Sequence, residues 1–431
     1  MRRRLFFVLG LFVFLSSLLY IRFNLVEVGA PNGDHVHNLN TGFNYTTIQA
    51  AIDANETLDG HTIFVEEGTY YEHVFVGKEL TLIGENRDTT IIDGNGTGPM
   101  GTIWLNSINS SITGFTIRNG EYGIRVRRGY SLFPTFTGHR IENNCIIENL
   151  YGAILLQTCA NNTISNNIIA NNALFGIHIW SSANNTMINN RVVNNGQGID
   201  FYGNSNDNIL RNNNMTDNTY NFGLIARGET HNWVFGRPEK PGIVNDVNTS
   251  NTVNGKPIYY LVNQSNVQIP SNAGYVWLNN CTNITVNGCD SSHNLQGVLL
   301  LFCDNASIIN NNITNNVYGI YVGPYSNNNT LVGNTLEDNL NGIYLGDTSR
   351  FTTMRSNVIC DGQMNFGVPP DMPVFIDRSD LINDIDASNT VDGKPIVYWI
   401  NQHDREVPTN AGYVMLINCT CLLYTSPSPR D

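Results

Sequence analysis

The sequence predicts an all-β fold, a right-handed parallel β-helix that winds through coils of about 22–25 residues. The first observation is a glycine, followed by alternating apolar residues, that returns at spacings of 22, 23 and 24 residues. The second is the abundance of asparagine, with 66 copies among 431 residues. The recurring glycines are Gly123, Gly152, Gly176, Gly198, Gly297, Gly319 and Gly342. A fixed period of this length indicates a solenoid, because each unit buries its apolar face only against its neighbours.

Two other repeat architectures do not fit the residue pattern. Leucine-rich repeats have a similar period, but their Leu-x-x-Leu-x-Leu frame is absent. Helical repeats need longer units, and asparagine and β-branched residues disfavour helices. In a β-solenoid, asparagine suits the turns because it tolerates left-handed backbone conformations, and stacked asparagines can hydrogen-bond along the axis. We therefore expect short parallel strands about 4.8 Å apart, with isoleucine and valine side chains inside.

A longer repeat lies over the short one. Residues 244–282 align without gaps on residues 382–420, at an offset of 138, with 23 identities in 39 positions. Each copy contains a segment that departs from the coil pattern, and we expect β-rich excursions over 223–273 and 366–411. The other predicted segments are a cap with the first coils (31–100), coils (101–222 and 274–365) and the start of a truncated coil (412–420).

The N-terminus, residues 1–30, has the features of an export signal. Three arginines precede an apolar run from Leu5 to Ile21, and Val28-Gly29-Ala30 fits a small-residue cleavage site. The run is short for a membrane span, so cleavage and retention as an anchor through residues 5–21 both stay open. In either case we expect the body of the protein outside the cell or at its surface.

Glycosylation signals agree with export, because the chain contains fifteen Asn-x-Ser/Thr sequons, which permit glycosylation. Eleven of them begin at Asn44, Asn95, Asn109, Asn161, Asn184, Asn214, Asn248, Asn283, Asn305, Asn312 and Asn328. The formal net charge of −13 argues against nucleic acid as a partner, since a phosphate-binding surface needs clustered basic residues.

The last eleven residues, 421–431, read CLLYTSPSPRD. They match one translated frame of a transposase sequencing adapter, and they interrupt the long repeat in the middle of a phrase. We therefore interpret them as an artefact and exclude them from reasoning about the fold. The expectation is that the natural sequence continues beyond Thr420.

Four phrases in the first hundred residues resemble the opening of pectin-lyase-like β-helix proteins. They are Asn44–Ala54 (NYTTIQAAIDA), Thr62–Glu72 (TIFVEEGTYYE), Leu80–Asn86 (LTLIGEN) and Thr90–Gly94 (TIIDG). The later coils are similar to the NosD-type, or carbohydrate-binding-and-sugar-hydrolysis, repeats of surface proteins. The resemblance covers about residues 40–420. It implies a β-helix with a short capping helix over Thr46–Ala54.

The resemblance is less informative about chemistry. Enzymes of this fold cleave or trim acidic polysaccharides, but the carboxylate, histidine and arginine phrases of polygalacturonase-like enzymes are absent here. A lyase would need an aspartate cluster for Ca²⁺, and no such cluster is visible in the sequence. NosD relatives are named for copper-site maturation, but the nine histidines are scattered. His35-Val36-His37, in the predicted linker after the signal, is their one close pair. We therefore predict no cofactor.

The best candidate site follows from the register of the glycine phrases. The second residue after each glycine should face outward, which gives Arg125, Ile154, His178 and Asp200. The fourth gives Arg127, Leu156, Trp180 and Tyr202. Five of these residues are expected to share one exposed patch on consecutive coils: Arg125, His178, Trp180, Asp200 and Tyr202. Aromatic faces beside charged groups suit a sugar ring, so Arg125, Trp180 and Tyr202 are predicted to bind substrate.

His178 and Asp200 are one coil apart in this register, so hydrogen-bond contact between them would suit acid–base catalysis. The alternative is an ordinary outer face with scattered polar side chains. A second column, Tyr321 and Tyr344, is interpreted as a stacking ladder.

Cysteines also fall in register. Cys159, Cys281 and Cys419 lie seven residues after their coil glycine, and Cys303 lies six after. A buried stack of thiols is the favoured interpretation, and a Cys281–Cys303 disulfide is the alternative.

The sequence thus predicts an exported cell-surface protein that binds a polysaccharide or surface glycan, or builds part of the envelope, without catalysis. Two alternatives stay open. One is a polysaccharide lyase, hydrolase or epimerase, in which Ca²⁺ would be needed for lyase chemistry. The other is a NosD-like accessory protein for a copper site.

Overall fold

The computed structural model of the chain describes residues 29, 31, 33–96, 101–127, 135–225, 243–346, 348–368 and 381–423. The apolar run 5–21 and residues 424–431 of the tail lie outside the described residues. Within these ranges the chain forms 46 short strands and one helix, Ile48–Asp53. No helix of the described part has both the length and the apolar character needed to cross a bilayer.

The fold is a parallel β-helix, as predicted, and its first stack of coils has three sheets. Face 1 carries the glycine phrases, and its strands are Val74–Val76, Ile103–Leu105, Tyr122–Val126, Gly152–Gln157, Phe175–Trp180, Gln197–Tyr202 and Tyr220–Leu224. Face 2 consists of Asn44–Tyr45, Val36–Asn38, Thr62–Val65, Thr81–Gly84, Ser111–Thr113, Arg140–Glu142, Thr163–Ser165, Thr186–Ile188, Ile209–Arg211 and Asp246–Val247. Face 3 consists of Gly68–Tyr71, Thr90–Asp93, Thr116–Arg118, Cys145–Ile147, Ile168–Ala170, Arg191–Val193, Asn214–Thr216 and Thr252–Val253. A small sheet pairs Thr135–Phe136 with Cys159–Ala160.

A second stack of coils follows the first. Face 3 continues into its glycine-phrase sheet, which consists of Lys256–Val262, Tyr275–Asn279, Gln296–Leu301, Tyr318–Val322, Asn341–Leu345 and Met364–Gly367. Another sheet consists of Gln268–Ile269, Thr285–Asn287, Ser307–Ile309, Thr330–Val332, Thr353–Arg355 and Asp384–Ile385. The third consists of Asp290–Ser292, Asn312–Thr314, Thr335–Glu337, Val358–Cys360, Thr390–Val391, Lys394–Ile400 and Tyr413–Ile417.

The long repeat corresponds to the junction between stacks. Val253 pairs antiparallel with Lys256 in a tight hairpin, after which Lys256–Val262 pairs in parallel with Tyr275–Asn279. The same hairpin recurs between Val391 and Lys394 in the second copy. Within the predicted excursions, the strands of residues 246–262 and 384–400 therefore pair with the coils. The first hairpin leads the chain from face 3 into the glycine-phrase sheet of the second stack, and the second hairpin makes the same turn within the third sheet of that stack.

Buried asparagines form ladders along the turns, as the sequence pattern predicts. In one ladder each side-chain amide donates to the side-chain oxygen in the next coil, at 2.9 to 3.3 Å. Its members are Asn144, Asn167, Asn190, Asn213 and Asn251. Parallel ladders start at Asn149 and Asn162 in the first stack and at Asn311 in the second. The ladders satisfy backbone groups that the turns would otherwise leave buried without partners.

The helix Ile48–Asp53 covers the first coil and buries Ile48, Ala51 and Ile52. Its first backbone amides, those of Ile48 and Gln49, donate to the Glu72 carboxylate at 3.0 and 2.9 Å. The helix thereby covers core residues that an open first coil would expose.

His139 occupies an asparagine-ladder position above Asn162. Its Nδ1 accepts from the Ser110 amide at 3.1 Å, and its own amide donates to Asn162 Oδ1 at 2.9 Å. The ring is fully buried, and burial lowers the pKa of His139 from 6.5 to about 4. The neutral ring is thus the form that fits the fold.

We expect this histidine to make the protein acid-sensitive. The depressed pKa contributes stability that is present above pH 6.5 and is lost as the pH falls towards 4, by about 3 kcal/mol in all. Urea unfolding measured across this range should show the loss in the wild type and a smaller loss in His139→Asn, whose amide oxygen can take the place of Nδ1. An equal loss in both proteins would contradict this assignment.

The cysteines of the described residues are free thiols. Cys281 and Cys303, in neighbouring coils, hydrogen-bond to each other. This contact is the main reason why the pKa of Cys281 is lowered to about 7.

The predicted tyrosine ladder is present in the second stack. Tyr321 and Tyr344 stack with ring centroids 5.3 Å apart and an interplanar angle of 2°.

Candidate functional site

A histidine and an aspartate on neighbouring coils of face 1 are in direct contact. Parallel pairing places His178 beside Asp200, and Trp180 beside Tyr202. His178 Nδ1 lies 2.5 Å from Asp200 Oδ2. The contact orients the imidazole, and it leaves Nε2 as the ring nitrogen that is available to a ligand.

Three aromatic rings surround the histidine. Phe175 stacks on the imidazole with centroids 4.5 Å apart, and Tyr202 lies nearly parallel to it at 6.3 Å. Trp180 meets Tyr202 edge to face at 5.5 Å and is 38% exposed. We call Phe175, His178, Trp180, Asp200 and Tyr202 the histidine–aromatic cluster. It presents an indole and a phenol at the surface, with a fixed polar group beneath them.

The prediction that five residues share an exposed patch is wrong for two of them. Asp200 is 0% exposed and His178 is 7% exposed. The aromatic rings pack on the imidazole, and the next residue in the Asp200 column is Gly223. Three residues of the second stack occupy the space where a side chain at Gly223 would lie: Tyr275, Leu295 and Gln296. The sequence register could not show this contact between stacks.

The burial has an electrostatic consequence. Desolvation raises the pKa of Asp200, and the contact with His178 acts in the opposite direction. Asp200 Oδ1 is also buried without a hydrogen-bond partner. A buried carboxylate of this kind cannot touch a polysaccharide, so its role in the cluster is to hold the imidazole.

The predicted register slips by one residue in the coil of Gly152. Gly152 pairs with Tyr122 and Phe175, so Ala153 stands where the other coils have their glycine. Leu155 and Gln157 therefore take the outward positions that had been assigned to Ile154 and Leu156, which are fully buried.

Arg125 lies on the same face, two coils before His178. Leu155 separates the two in the register. The Arg125 Nη2 donates to Gln157 Oε1 at 3.2 Å, and Gln157 is the neighbour of Trp180 in the next coil. The guanidinium is thus connected to the cluster through one side chain. Sequence reasoning missed Phe175 and Gln157. Phe175 precedes Gly176 and therefore lies outside the glycine phrase. The phrase of Gly152 places Leu156, and not Gln157, at the outward position.

The predicted linker histidines lie in the fold, contrary to expectation. His37 belongs to the strand Val36–Asn38, which pairs antiparallel with Thr62–Val65, next to Glu66. His35 Nδ1 and His37 Nε2 meet separate oxygens of Glu66 at 2.5 and 2.9 Å. These contacts lower the pKa of Glu66, with the His35 hydrogen bond as the largest cause.

Residues 54–237 and 238–371 match a family described as periplasmic copper-binding protein (NosD). The two matches together span well over half of the chain and include every residue of the histidine–aromatic cluster.

The matches to individual relatives cover a smaller part of the chain than the family match does. The chain is 36% identical over 118 residues to a cell surface glycoprotein of Methanothermus fervidus, a match that covers 27% of this chain and 18% of that protein. It is 33% identical over 116 residues to a pectinesterase of Aspergillus niger, covering 25% of this chain and 35% of that one. The matches thus span about a fifth and a third of these curated relatives.

Among solved structures, the A-module of the mannuronan C-5 epimerase AlgE6 of Azotobacter vinelandii is similar, with a TM-score of 0.44 and 18% identity. The match covers 80% of this chain and 94% of that chain.

Proposed function

The chain belongs to the family described as periplasmic copper-binding protein (NosD), and we propose that it is an exported surface protein that binds carbohydrate without catalysis. The binding surface in this proposal is the histidine–aromatic cluster of face 1. The names of the family and of the cell surface glycoprotein relative support an exported setting.

One observation carries the proposal. Trp180 is 38% exposed, whereas the four residues that precede it in its strand are buried. Its ring is held by Tyr202, and the stacked imidazole lies beside both. An aromatic ring fixed in this way offers an apolar face at low entropic cost, and nearby polar groups can bond sugar hydroxyls.

We expect Trp180→Ala to weaken binding of a polysaccharide by about 10-fold, equivalent to about 1.4 kcal/mol, because the main exposed ring is lost. Binding is measured by co-sedimentation of the full chain with uronate-containing and neutral polysaccharides. Tyr71→Ala is the control, since Tyr71 is a more accessible aromatic residue, 60% exposed, on face 3. Equal effects of the two substitutions, or binding by neither protein nor variants, would refute the proposal.

A second candidate function is acid–base catalysis on a glycan, and the His178–Asp200 contact favours it. An aspartate that holds Nδ1 leaves Nε2 to transfer a proton. Hydrolysis by the usual route also needs two carboxyl groups that face the sugar, whereas Asp200 is buried. New reducing or unsaturated ends that disappear in His178→Gln would establish this alternative.

Copper does not fit the donors that the structure describes. Imidazole suits copper, but His35 and His37 face separate oxygens of Glu66. Within the described ranges, the one set of three donors close enough to share an ion is Glu337, Cys360 and Asp361, which has no imidazole. We therefore propose carbohydrate binding at face 1 without a role for copper.

A further inference from the structure

A second aromatic pair lies on face 1, at the opposite end from the histidine–aromatic cluster. Phe75 and Trp104 belong to consecutive coils, with ring centroids 4.9 Å apart in an edge-to-face arrangement. Phe75 is 38% exposed, and the Trp104 Nε1 donates to the Arg127 carbonyl at 3.3 Å. The two rings point away from the core and are fixed by their neighbours, as Trp180 is. This pair is thus built like a second sugar-binding surface.

The register joins the two aromatic surfaces into one line. Phe75, Trp104 and Arg125 are direct partners in successive coils, and Leu155 and His178 follow in the same column. From Phe75 to Tyr202 the face spans six coils, or five steps of about 4.8 Å, a total of about 24 Å. Each sugar of an extended polysaccharide advances by a distance similar to one coil. A ligand that touches both surfaces must therefore be a chain of several sugars parallel to the β-helix axis.

Arg125 lies between the two surfaces. Its guanidinium is half-buried, and the hydrogen bond to Gln157 directs it along the face towards Trp180. The protein as a whole is acidic, with a net charge of −13, so Arg125 is a local cation on an acidic protein. A guanidinium in a fixed position pairs well with a carboxylate or sulfate group.

We propose that face 1 binds an extended acidic polysaccharide along the β-helix axis, with Phe75 and Trp104 as a second sugar subsite and Arg125 opposite an anionic group. This inference rests on the proposed function, because it extends the surface that contains Trp180. It adds the chain length, the direction and the charge of the ligand.

The length of the site is tested by calorimetric titration of the full chain with oligogalacturonates from the disaccharide to the octasaccharide. Affinity is expected to rise up to the hexasaccharide and then to stay constant. Trp104→Ala and Trp180→Ala should each lower the hexasaccharide affinity about 10-fold, to the level of the trisaccharide. Phe75→Ala, at a more exposed position, should have the same effect if Trp104→Ala perturbs folding, and Tyr71→Ala should have none.

The outcomes separate the two proposals. If Trp180→Ala weakens binding but Phe75→Ala and Trp104→Ala do not, the second subsite is refuted and the proposed function stands. If no oligosaccharide or polysaccharide binds, both fail. An affinity that does not depend on chain length also refutes the extended site.

The charge of the ligand is tested with three hexasaccharides: galacturonate, its carboxyl-reduced neutral form and a sulfated chondroitin fragment. Arg125→Gln should weaken binding of the acidic hexasaccharides by about 10-fold and leave the neutral form unchanged. The preference between the uronate and the sulfated ligand identifies the anionic group. Arg355→Gln is the control, since this arginine pairs with Asp384 in the second stack. Equal loss for the neutral hexasaccharide, or equally tight wild-type binding of it, would refute the role of charge.

Discussion

Asn190→Ala is expected to destabilise the protein by about 4 kcal/mol, the largest effect of any single substitution we predict. The Asn190 amide donates to the Ile164 carbonyl at 2.8 Å and to Asn213 Oδ1 at 2.9 Å. Its Oδ1 accepts from the backbone and side-chain amides of Asn167, both at 3.1 Å. Alanine would leave these buried partners without hydrogen bonds, each at a cost of about 1–3 kcal/mol. Urea unfolding followed by circular dichroism measures the loss.

The neighbouring asparagine provides a matched control. Asn189 is exposed, with φ of 57°, and its side chain makes one hydrogen bond, to Asn166 at 3.3 Å. Asn189→Gly keeps the left-handed backbone available, so the expected loss is below about 1 kcal/mol. Similar losses at positions 189 and 190 would show that the ladders do not stabilise the fold.

Asp200→Ala is expected to lower the free energy of unfolding by about 3 kcal/mol, because it leaves His178 buried without the partner of its Nδ1. Replacing both residues with leucine should restore most of that loss, since a buried pair often stabilises no more than apolar residues of similar size. Asp246→Ala, which removes an exposed partner of Arg211, should cost less than about 1 kcal/mol.

The double substitution also distinguishes structure from function. If the pair serves the ligand, the His178→Leu/Asp200→Leu protein should be stable and yet bind polysaccharide more weakly than the wild type. Full stability with unchanged binding would show that the pair has no functional role. Failure of the double variant to recover stability would show that the pair is required for folding.

Much of the fold could be predicted from sequence because its determinants are local and periodic. The glycine at each turn into face 1 and the alternation that follows it define strand, turn and coil length together. The hairpin between Val253 and Lys256 was harder to interpret, because both stacks keep the same period and only the pairing shows that the chain changes sheets.

The strand pairing of the site residues could be predicted from the sequence, but the burial of their side chains could not. Pairing of His178 with Asp200 follows from glycine spacing alone, whereas the burial of Asp200 does not. The neighbouring position in its column, Gly223, lies against Leu295 and Gln296, which are about seventy residues further along the chain. The register shifts by one residue in one coil because Ala153 occupies the position that glycine has in the other coils. A motif based on glycine does not detect that alanine. Phe75 and Trp104 had a visible signal, the alternations Val74-Phe75-Val76 and Ile103-Trp104-Leu105, but these coils lack the glycine phrase.

The most direct test of carbohydrate binding at face 1 is hydroxyl-radical footprinting of the full chain, with and without saturating polygalacturonate, read out by mass spectrometry. We expect oxidation of Trp180 and Tyr202 to fall when the polysaccharide is present, while Tyr71 and Phe351, which are exposed elsewhere, react as before. Unchanged oxidation of Trp180 and Tyr202 under conditions where the polysaccharide binds would place the ligand on another surface and contradict carbohydrate binding at face 1.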